Sequence, residues 1–330
     1  MPESRLITVV VPAMNEEENV EPFFAAASAV VRDLCQFEWE FIFVDDGSTD
    51  RTLDRVLALR ETDSRVRVLQ LSRNFGSYAA IRAGFDYARG DAVITMSADL
   101  QDPPHLFLSF VERWLDGCHV VWGIRVQRDD PWSKKILASL FYRLIRRLAL
   151  PNLPTEGMDC GLFDRKVIHA FRQIPDTNII TFITIYWMGF RQARVPYHRQ
   201  RRLRGKSKWP LDKRVKAALD VVTAFSYLPI RFASYLGFAV SGVSVLGAVV
   251  ILFMKAAWGI GSVGWPWMML SIFFLGGVQL LTLGIIGEYL WRISAAVRGQ
   301  PNYIVMQELG FGEGEIEQKV PGPPLSVIGK

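Results

Sequence analysis

Apolar and polar positions follow two different patterns along this 330-residue chain, with the change near residue 228. Before it, short apolar runs are separated by polar or amphipathic stretches. LITVVVP (6–12) is an unbroken, β-branched-rich run, which predicts a strand buried on both faces. A helical stretch follows to about Leu34. EFIFVDD (40–46) predicts a second strand, and DGSTDRT then opens a helix with Ser48 or Asp50 as N-cap. VRVLQLS (66–72), DAVITMSAD (91–99) and HVVWGIR (119–125) predict three more strands. A helix over about 77–88 separates the third from the fourth, and Pro103-Pro104 starts another. Strands alternating with helices imply an α/β domain with a mostly parallel sheet, assigned to 1–210.

Beyond residue 228 the pattern becomes almost wholly apolar. Residues 232–254 and 256–287 contain no charged side chain. Each exceeds the roughly 20 residues that cross a bilayer core, and soluble core helices rarely run so long uncharged. A two-helix transmembrane hairpin is therefore expected over 232–291. Two basic amphipathic segments accompany it. In 134–150, Leu137, Leu140, Phe141, Leu144, Ile145 and Leu148 oppose Lys135, Arg143, Arg146 and Arg147. That pattern fits a helix lying in the membrane surface, or equally one packed on its own domain. The second, 211–231, leads into the first span as a juxtamembrane helix. The tail, 292–330, turns Gly-, Pro- and Glu-rich after about Gly310 and is expected to be partly disordered.

Charge sets the expected orientation. From Arg191 to Arg231 there are twelve Lys/Arg against two acids, Asp212 and Asp220. Arg292 and Arg298 follow the second span, while the connecting loop offers little beyond Lys255. The bias predicts a multi-pass protein of the cell (inner) membrane with both flanks cytoplasmic. Most of the net charge of +5 comes from this belt. Three widely spaced cysteines suit a reducing compartment, and the N-terminus lacks the apolar run of a signal peptide. No G-x-G-x-x-G follows the first strand, which excludes a Rossmann dehydrogenase. Nucleic acid would explain the basic stretch but neither the carboxylates nor the spans.

The polar clusters Asn15-Glu16, Asp45-Asp46, Arg73-Asn74 and Asp99 all fall where α/β sheets bind ligands, at the carboxyl ends of strands. A sugar nucleotide suits such a gathering. Its base and ribose donate hydrogen bonds to carboxylates, and its diphosphate needs a cation. Pro12 to Glu16 and Asp45 to Ser48 supply the first need, although Asp-Asp-Gly-Ser alone is also a common turn and helix cap. In MSADLQDPP (96–104), Asp99 and Gln101 are oxygen ligands two apart, able to hold Mg²⁺ or Mn²⁺ together with phosphates. On spacing alone, a solvated loop before a helix competes with that reading.

Five segments taken in order resemble glycosyltransferase family 2. They are V-P-x-x-N-E at Val11 to Glu16, V-D-D-G-S-x-D at Val44 to Asp50 and S-R-N-F-G at Ser72 to Gly76. A-D-L-Q-D-P-P at Ala98 to Pro104 and G-K-S-K-W at Gly205 to Trp209 complete the set. The resemblance runs from about Leu6 to Tyr303 and is closest to the polyprenyl-phosphate branch, which includes the dolichyl-phosphate mannose synthases. It implies a GT-A fold and inverting transfer of a sugar from a nucleotide-sugar, UDP-linked as in bacterial members, to a membrane polyprenyl phosphate. It carries nucleotide contacts to Pro12, Asn15, Glu16, Asp45 and Asp46, with Arg73 and Ser97 beside them. The family's D-x-D-x-Q metal motif is matched at Asp99 and Gln101, but Ser97 replaces its first aspartate. A hydroxyl is a weaker ligand, which implies reduced metal affinity unless Asp102 contributes.

The family's catalytic-site acid falls in a G-x-D-x-x-L-x-D-R segment, matched at Gly157 to Arg165, so the resemblance implies Asp159 as that acid, alongside Asp99; Asp164 fits a helix cap better. A phosphate monoester with second pKa near 6 is mostly dianionic at pH 7. Asp159 is therefore expected to orient the reacting groups or remove a residual proton. Arg202, Arg204, Ser207 and Lys208, with Lys206, lie just before the juxtamembrane helix and are expected to hold the lipid phosphate. Association into homo-oligomers is a further expectation. Two other readings stay open: a processive polysaccharide synthase, which needs Q-x-x-R-W and more spans, and a non-catalytic membrane scaffold, for which Ser97 speaks.

Overall fold

The computed structural model describes residues 5–125, 158–174, 181–199, 228–258, 264–298 and 300–312. The N-terminal apolar run is β1 (Leu6–Ala13), in which Ile7 to Val11 are all buried. It pairs in parallel with β2 (Glu38–Asp45) on one side and β4 (Ala92–Thr95) on the other, and β3 (Val66–Leu71) continues beyond β2. Alternate residues of these strands feed two apolar layers, as the two-residue period of a strand requires. Val9, Val11, Phe41 and Phe43 face α1 (Val20–Arg32), α2 (Thr52–Thr62) and α4 (Leu106–Leu115). Val10, Ile42, Val44 and Leu69 face α3 (Ser77–Tyr87), α5 (Arg165–Arg172) and α6 (Thr181–Trp187). The sheet is thus covered on both sides, which explains why β1 and β2 read as continuous apolar runs.

Three further strands have no counterpart among the five runs that the hydrophobic pattern marked, besides β5 (Val120–Arg125), which it did mark. They are β6 (Met158–Asp164), β7 (Gln192–Tyr197) and β8 (Val305–Leu309). The eight-stranded order is β7-β5-β6-β4-β1-β2-β3-β8. β6 runs antiparallel between β4 and β5, β7 is parallel to β5, and β8 is antiparallel to β3. β4 is shorter than the 91–99 run predicted. Past Thr95 the Met96 N–H still bonds into the sheet, to the Val10 carbonyl at 3.2 Å, before the chain turns into a loop.

Two long helices follow, α7 (Leu228–Trp258) and α8 (Trp265–Val297). Their apolar windows, Ile230–Ala257 with mean hydropathy 2.4 and Ser271–Trp291 with 1.6, are long and apolar enough to cross a membrane. At about 1.5 Å per residue, both exceed a hydrocarbon core of about 30 Å. The chain then returns to the sheet. Tyr303 donates its hydroxyl to Asp86 at 3.0 Å, the Ser72 N–H bonds the Ile304 carbonyl at 2.9 Å, and Phe311 meets Tyr87 edge-on at 5.1 Å. Part of the expected tail is therefore an edge strand. The 134–150 helix, most of the 211–231 helix and the end of the tail lie outside the described residues.

Candidate active site

The carboxyl ends of β1, β2, β3 and β4 lie side by side, so the loops leaving them meet on one edge of the sheet. β6 runs the other way and brings its first residues, Met158 and Asp159, to the same edge; β5 and β7 deliver Arg125 and Tyr197 to it. Pro12, Asn15, Glu16, Asp45, Asp46, Arg73, Ser97, Asp99, Gln101 and Asp159 all belong to this edge. Arg202, Arg204, Ser207 and Lys208 lie outside the described residues.

On the β1–β2–β3 side, the loops are tied by hydrogen bonds between segments some 30 residues apart. The Asn15 N–H donates to Ser48 Oγ at 2.9 Å, the Thr49 N–H to Asn15 Oδ1 at 2.8 Å, and the Glu16 N–H to Thr52 Oγ1 at 2.7 Å. Ser48 therefore serves the Asn15 loop, while Asp50 accepts from the Thr52 N–H at 3.0 Å at the start of α2. Asp46 accepts from the N–H groups of Phe75 at 2.7 Å and Gly76 at 2.9 Å, which fixes the entry to α3. Between Asp46 and Ser48, Gly47 takes φ +69°, and a Cβ there would stand 2.6 Å from the Arg73 carbonyl carbon. Only glycine allows that crossing. Asp45 is buried, with the Ser48 N–H 3.3 Å from Oδ1. Burial pushes the carboxyls of Asp45 and Asp46 above their ordinary range; Ser48 opposes this at Asp45, and the Phe75 and Gly76 N–H groups oppose it at Asp46. The Arg73 guanidinium stacks on Phe75 at 4.0 Å.

The β4–β6–β5–β7 side is built from charge. Asp99 and Asp102 are both buried, at 3% and 1% exposure. Asp99 Oδ1 accepts from the Gln101 N–H at 3.2 Å, and Leu100 between them is forced to φ 56°. Asn15 and Leu100 are the non-glycine residues with positive φ among the described residues. Asparagine tolerates that conformation and leucine does not, so the surroundings impose it at Leu100. Asp159 pairs with Arg125 through Nη2, and Arg199 Nη1 lies 3.6 Å from the same carboxylate oxygen. Tyr197 donates its hydroxyl to Asp102 Oδ1. Burial first, and the negative charge of Asp159 second, push the Asp102 carboxyl up to about 6.

With this geometry, the comparisons with known proteins speak directly. The model of "Glycosyl transferase family 2" matches residues 8–172, which run from β1 through the strand-end loops to α5. The chain belongs to glycosyltransferase family 2. An uncharacterised glycosyltransferase of Synechocystis sp. is 38% identical over 306 residues, covering 92% of this chain and 96% of that protein. A prophage-derived bactoprenol glucosyl transferase of Shigella flexneri is 35% identical over 300 residues, covering 91% and 97%. A prophage bactoprenol glucosyl transferase homologue of Escherichia coli K12 is 33% identical, covering 91% and 98%. Among solved structures, mannosyl-3-phosphoglycerate synthase from Rubrobacter xylanophilus matches with a TM-score of 0.51 at 18% identity, over 67% of this chain and 72% of that one. The chain is thus a glycosyltransferase with the GT-A fold.

The transferase offers hard oxygen ligands for a divalent cation at Asp99 and Gln101. Among the described residues, no three His, Cys, Asp or Glu are grouped to hold a metal by themselves. Two oxygen donors of this kind suit an ion whose remaining ligands are phosphate oxygens and water. The negative charges of Asp159 and Asp99 both reach Asp102, and Arg125 and Arg199 lie beside Asp159, with Arg199 also beside Asp102. Ser97 lies half-buried just past β4. Asp102, the candidate to replace the missing aspartate, is instead engaged by Tyr197. Sequence reasoning missed Arg125, Tyr197 and Arg199, whose motifs carry no local signature. Asp164 caps α5 by accepting from the Lys166 N–H at 2.9 Å, at the opposite edge of the sheet.

Proposed function

We propose that this transferase moves a sugar, with inversion, from a UDP-linked donor to the phosphate of a membrane polyprenyl phosphate. The observation that carries the reading is similarity to bactoprenol glucosyl transferases over more than nine-tenths of both chains, through the strand-end site and the two apolar helices alike. In this reading Pro12, Asn15, Glu16, Asp45 and Arg73 frame the nucleotide, and Asp46 holds the 73–76 loop against it. An oxygen of the acceptor phosphate attacks the anomeric carbon as the bond to the diphosphate breaks from the opposite side. The acceptor is mostly dianionic near pH 7, so Asp159 orients it and takes a proton only from the monoanion. Asp99 and Gln101 would hold a divalent cation, which would supply neutralising charge to the departing diphosphate.

The membrane part of the proposal has its own support. β7 precedes the two apolar helices and β8 follows them, yet both strands belong to one sheet. A hairpin of two spans returns the chain to the side it left; an odd number of spans would not. The catalytic domain (1–210) and the tail then share the cytoplasmic side, with 211–231 and 134–150 at the interface. Arg202, Arg204, Ser207 and Lys208 meet the lipid phosphate there.

The test uses the full chain in detergent with undecaprenyl phosphate, a panel of UDP- and GDP-sugars, and Mg²⁺ or Mn²⁺. Mass spectrometry is expected to find one glycosylated lipid phosphate, lost in both Asp99→Ala and Asp159→Ala. A polymeric product would favour the processive synthase. Binding of UDP without product from any donor would favour the scaffold.

A further inference from the structure

Asp102 lies at the end of the loop that carries Asp99 and Gln101, and Tyr197 is the last residue of β7. They are 95 residues apart, both buried, and joined by the hydrogen bond from the Tyr197 hydroxyl to Asp102 Oδ1. Two residues further on, Arg199 forms long ion pairs with two carboxylates without hydrogen-bonding either. Its Nε is 3.8 Å from Asp102 Oδ1 and its Nη1 is 3.6 Å from Asp159 Oδ2, both beyond hydrogen-bond range. The Nε is buried and, among the described residues, has no hydrogen-bond partner. Buried donors of this kind carry a free-energy cost until an acceptor arrives. The planar guanidinium suits two oxygens of one phosphate. Arg125 also has a buried Nε with no hydrogen bond among the described residues, but its Nη2 is already in contact with Asp159, whereas Arg199 reaches its carboxylates only at longer range. From Arg199 the chain passes directly into the basic 201–208 stretch.

We propose that Arg199 binds the phosphate monoester of the acceptor at its reacting end, and that Asp102 and Tyr197 are positioning residues that aim it. Asp102 thereby links the loop of the proposed metal ligands to the start of the basic segment, so the donor and acceptor sides are set by one buried contact. Because Asp102 is used in this way, it is not the replacement for the aspartate missing at Ser97. The inference rests on the polyprenyl-phosphate reading and refines it.

Two measurements on the full chain in detergent test it, one of which needs no turnover. Binding of undecaprenyl phosphate by native mass spectrometry is expected to weaken about ten-fold or more in Arg199→Ala, as for loss of a charged hydrogen bond. Arg199→Lys should recover part of it, and both should bind UDP with Mn²⁺ within about two-fold of the parent, the charged contact being absent from the nucleotide. In turnover, Tyr197→Phe and Asp102→Asn should raise the KM for the lipid phosphate by roughly three-fold or more, in proportion to one lost hydrogen bond. The donor KM and the half-saturating metal concentration should hold. The inference is overturned if Arg199→Ala weakens UDP as much as the lipid, since Arg199 then serves the diphosphate. It is also overturned if Asp102→Asn raises the metal requirement while Tyr197→Phe does not, since Asp102 is then a ligand. A parent that binds the lipid through Arg199 but makes no product would remove the transfer reaction and leave this site standing.

Discussion

The two halves of the site edge are built on different principles. On the β1–β2–β3 side, polar side chains are consumed by backbone: Asp46 by Phe75 and Gly76, Ser48 by Asn15, and Asn15 by Thr49. On the β4–β6–β5–β7 side, charged side chains face each other, with Asp102 and Asp159 set against Arg125 and Arg199 and the charge of Asp99 close by. The first arrangement makes a rigid cradle whose shape is the product. The second leaves charge to be balanced by whatever binds, which under the proposed function is the reacting phosphates. Side chains of the same type, aspartates in both halves, thus do unlike work because their partners differ.

The sharpest way to break this contrast is to exchange the expected penalties. Asp159→Asn keeps the shape and removes the charge between Arg125 and Arg199. It is expected to lower kcat by about two orders of magnitude or more, the usual scale for a group acting on the reacting atoms. UDP affinity and the melting temperature should change little. Asp46→Ala is expected to do the reverse. It strands the Phe75 and Gly76 N–H groups and should cost about 2 kcal/mol or more, read as a fall in melting temperature of roughly 4–8 °C for a domain of this size. Donor KM should rise with the loosened 73–76 loop. If Asp46→Ala instead abolished turnover at unchanged melting temperature, the cradle would be part of the chemistry and the contrast would fail.

The same contrast explains what could be read in the sequence. The cradle is legible because its pieces are short and local: V-P-x-x-N-E and D-D-G-S sit directly after strands, and strand ends are where ligands bind. The charged side is legible only at Asp99, Gln101, Asp102 and Asp159, which fall in recognisable segments. Arg125 and Arg199 converge on Asp159 through the antiparallel insertion of β6 between β4 and β5. No periodicity announces that pairing. β7 was hidden because QARVPY mixes exposed and buried positions at a sheet edge. β8 was hidden for a related reason: an edge strand that follows two long apolar helices looks, by composition, like the start of a tail. Its contacts through Tyr303 and Phe311 become visible only once the chain has returned to the sheet.

The smallest expected effect concerns Asp45, whose surroundings decide whether the cradle favours the charged or the neutral carboxyl. Burial, the largest influence, raises its pKa above the ordinary 3.8, and the Ser48 contacts only partly oppose that. The folded protein therefore holds this proton more tightly than the unfolded chain does. The stabilisation that results is fully present below the ordinary pKa and declines as pH rises from there through the folded value. Asp45→Asn removes the titration while keeping the side chain's shape. The melting temperature of the parent minus that of the variant should accordingly be greatest at the acidic end of a series from pH 4 to 7 and fall until the pH has passed the folded value. Saturating UDP should flatten the decline if ribose or base donates a hydrogen bond to the ionised carboxylate, because that bond favours the charged form. A difference that grew with pH in the absence of nucleotide would show the Ser48 hydrogen bonds outweighing burial. The cradle would then be set for an anion before any ligand arrives, as the charged half of the site is.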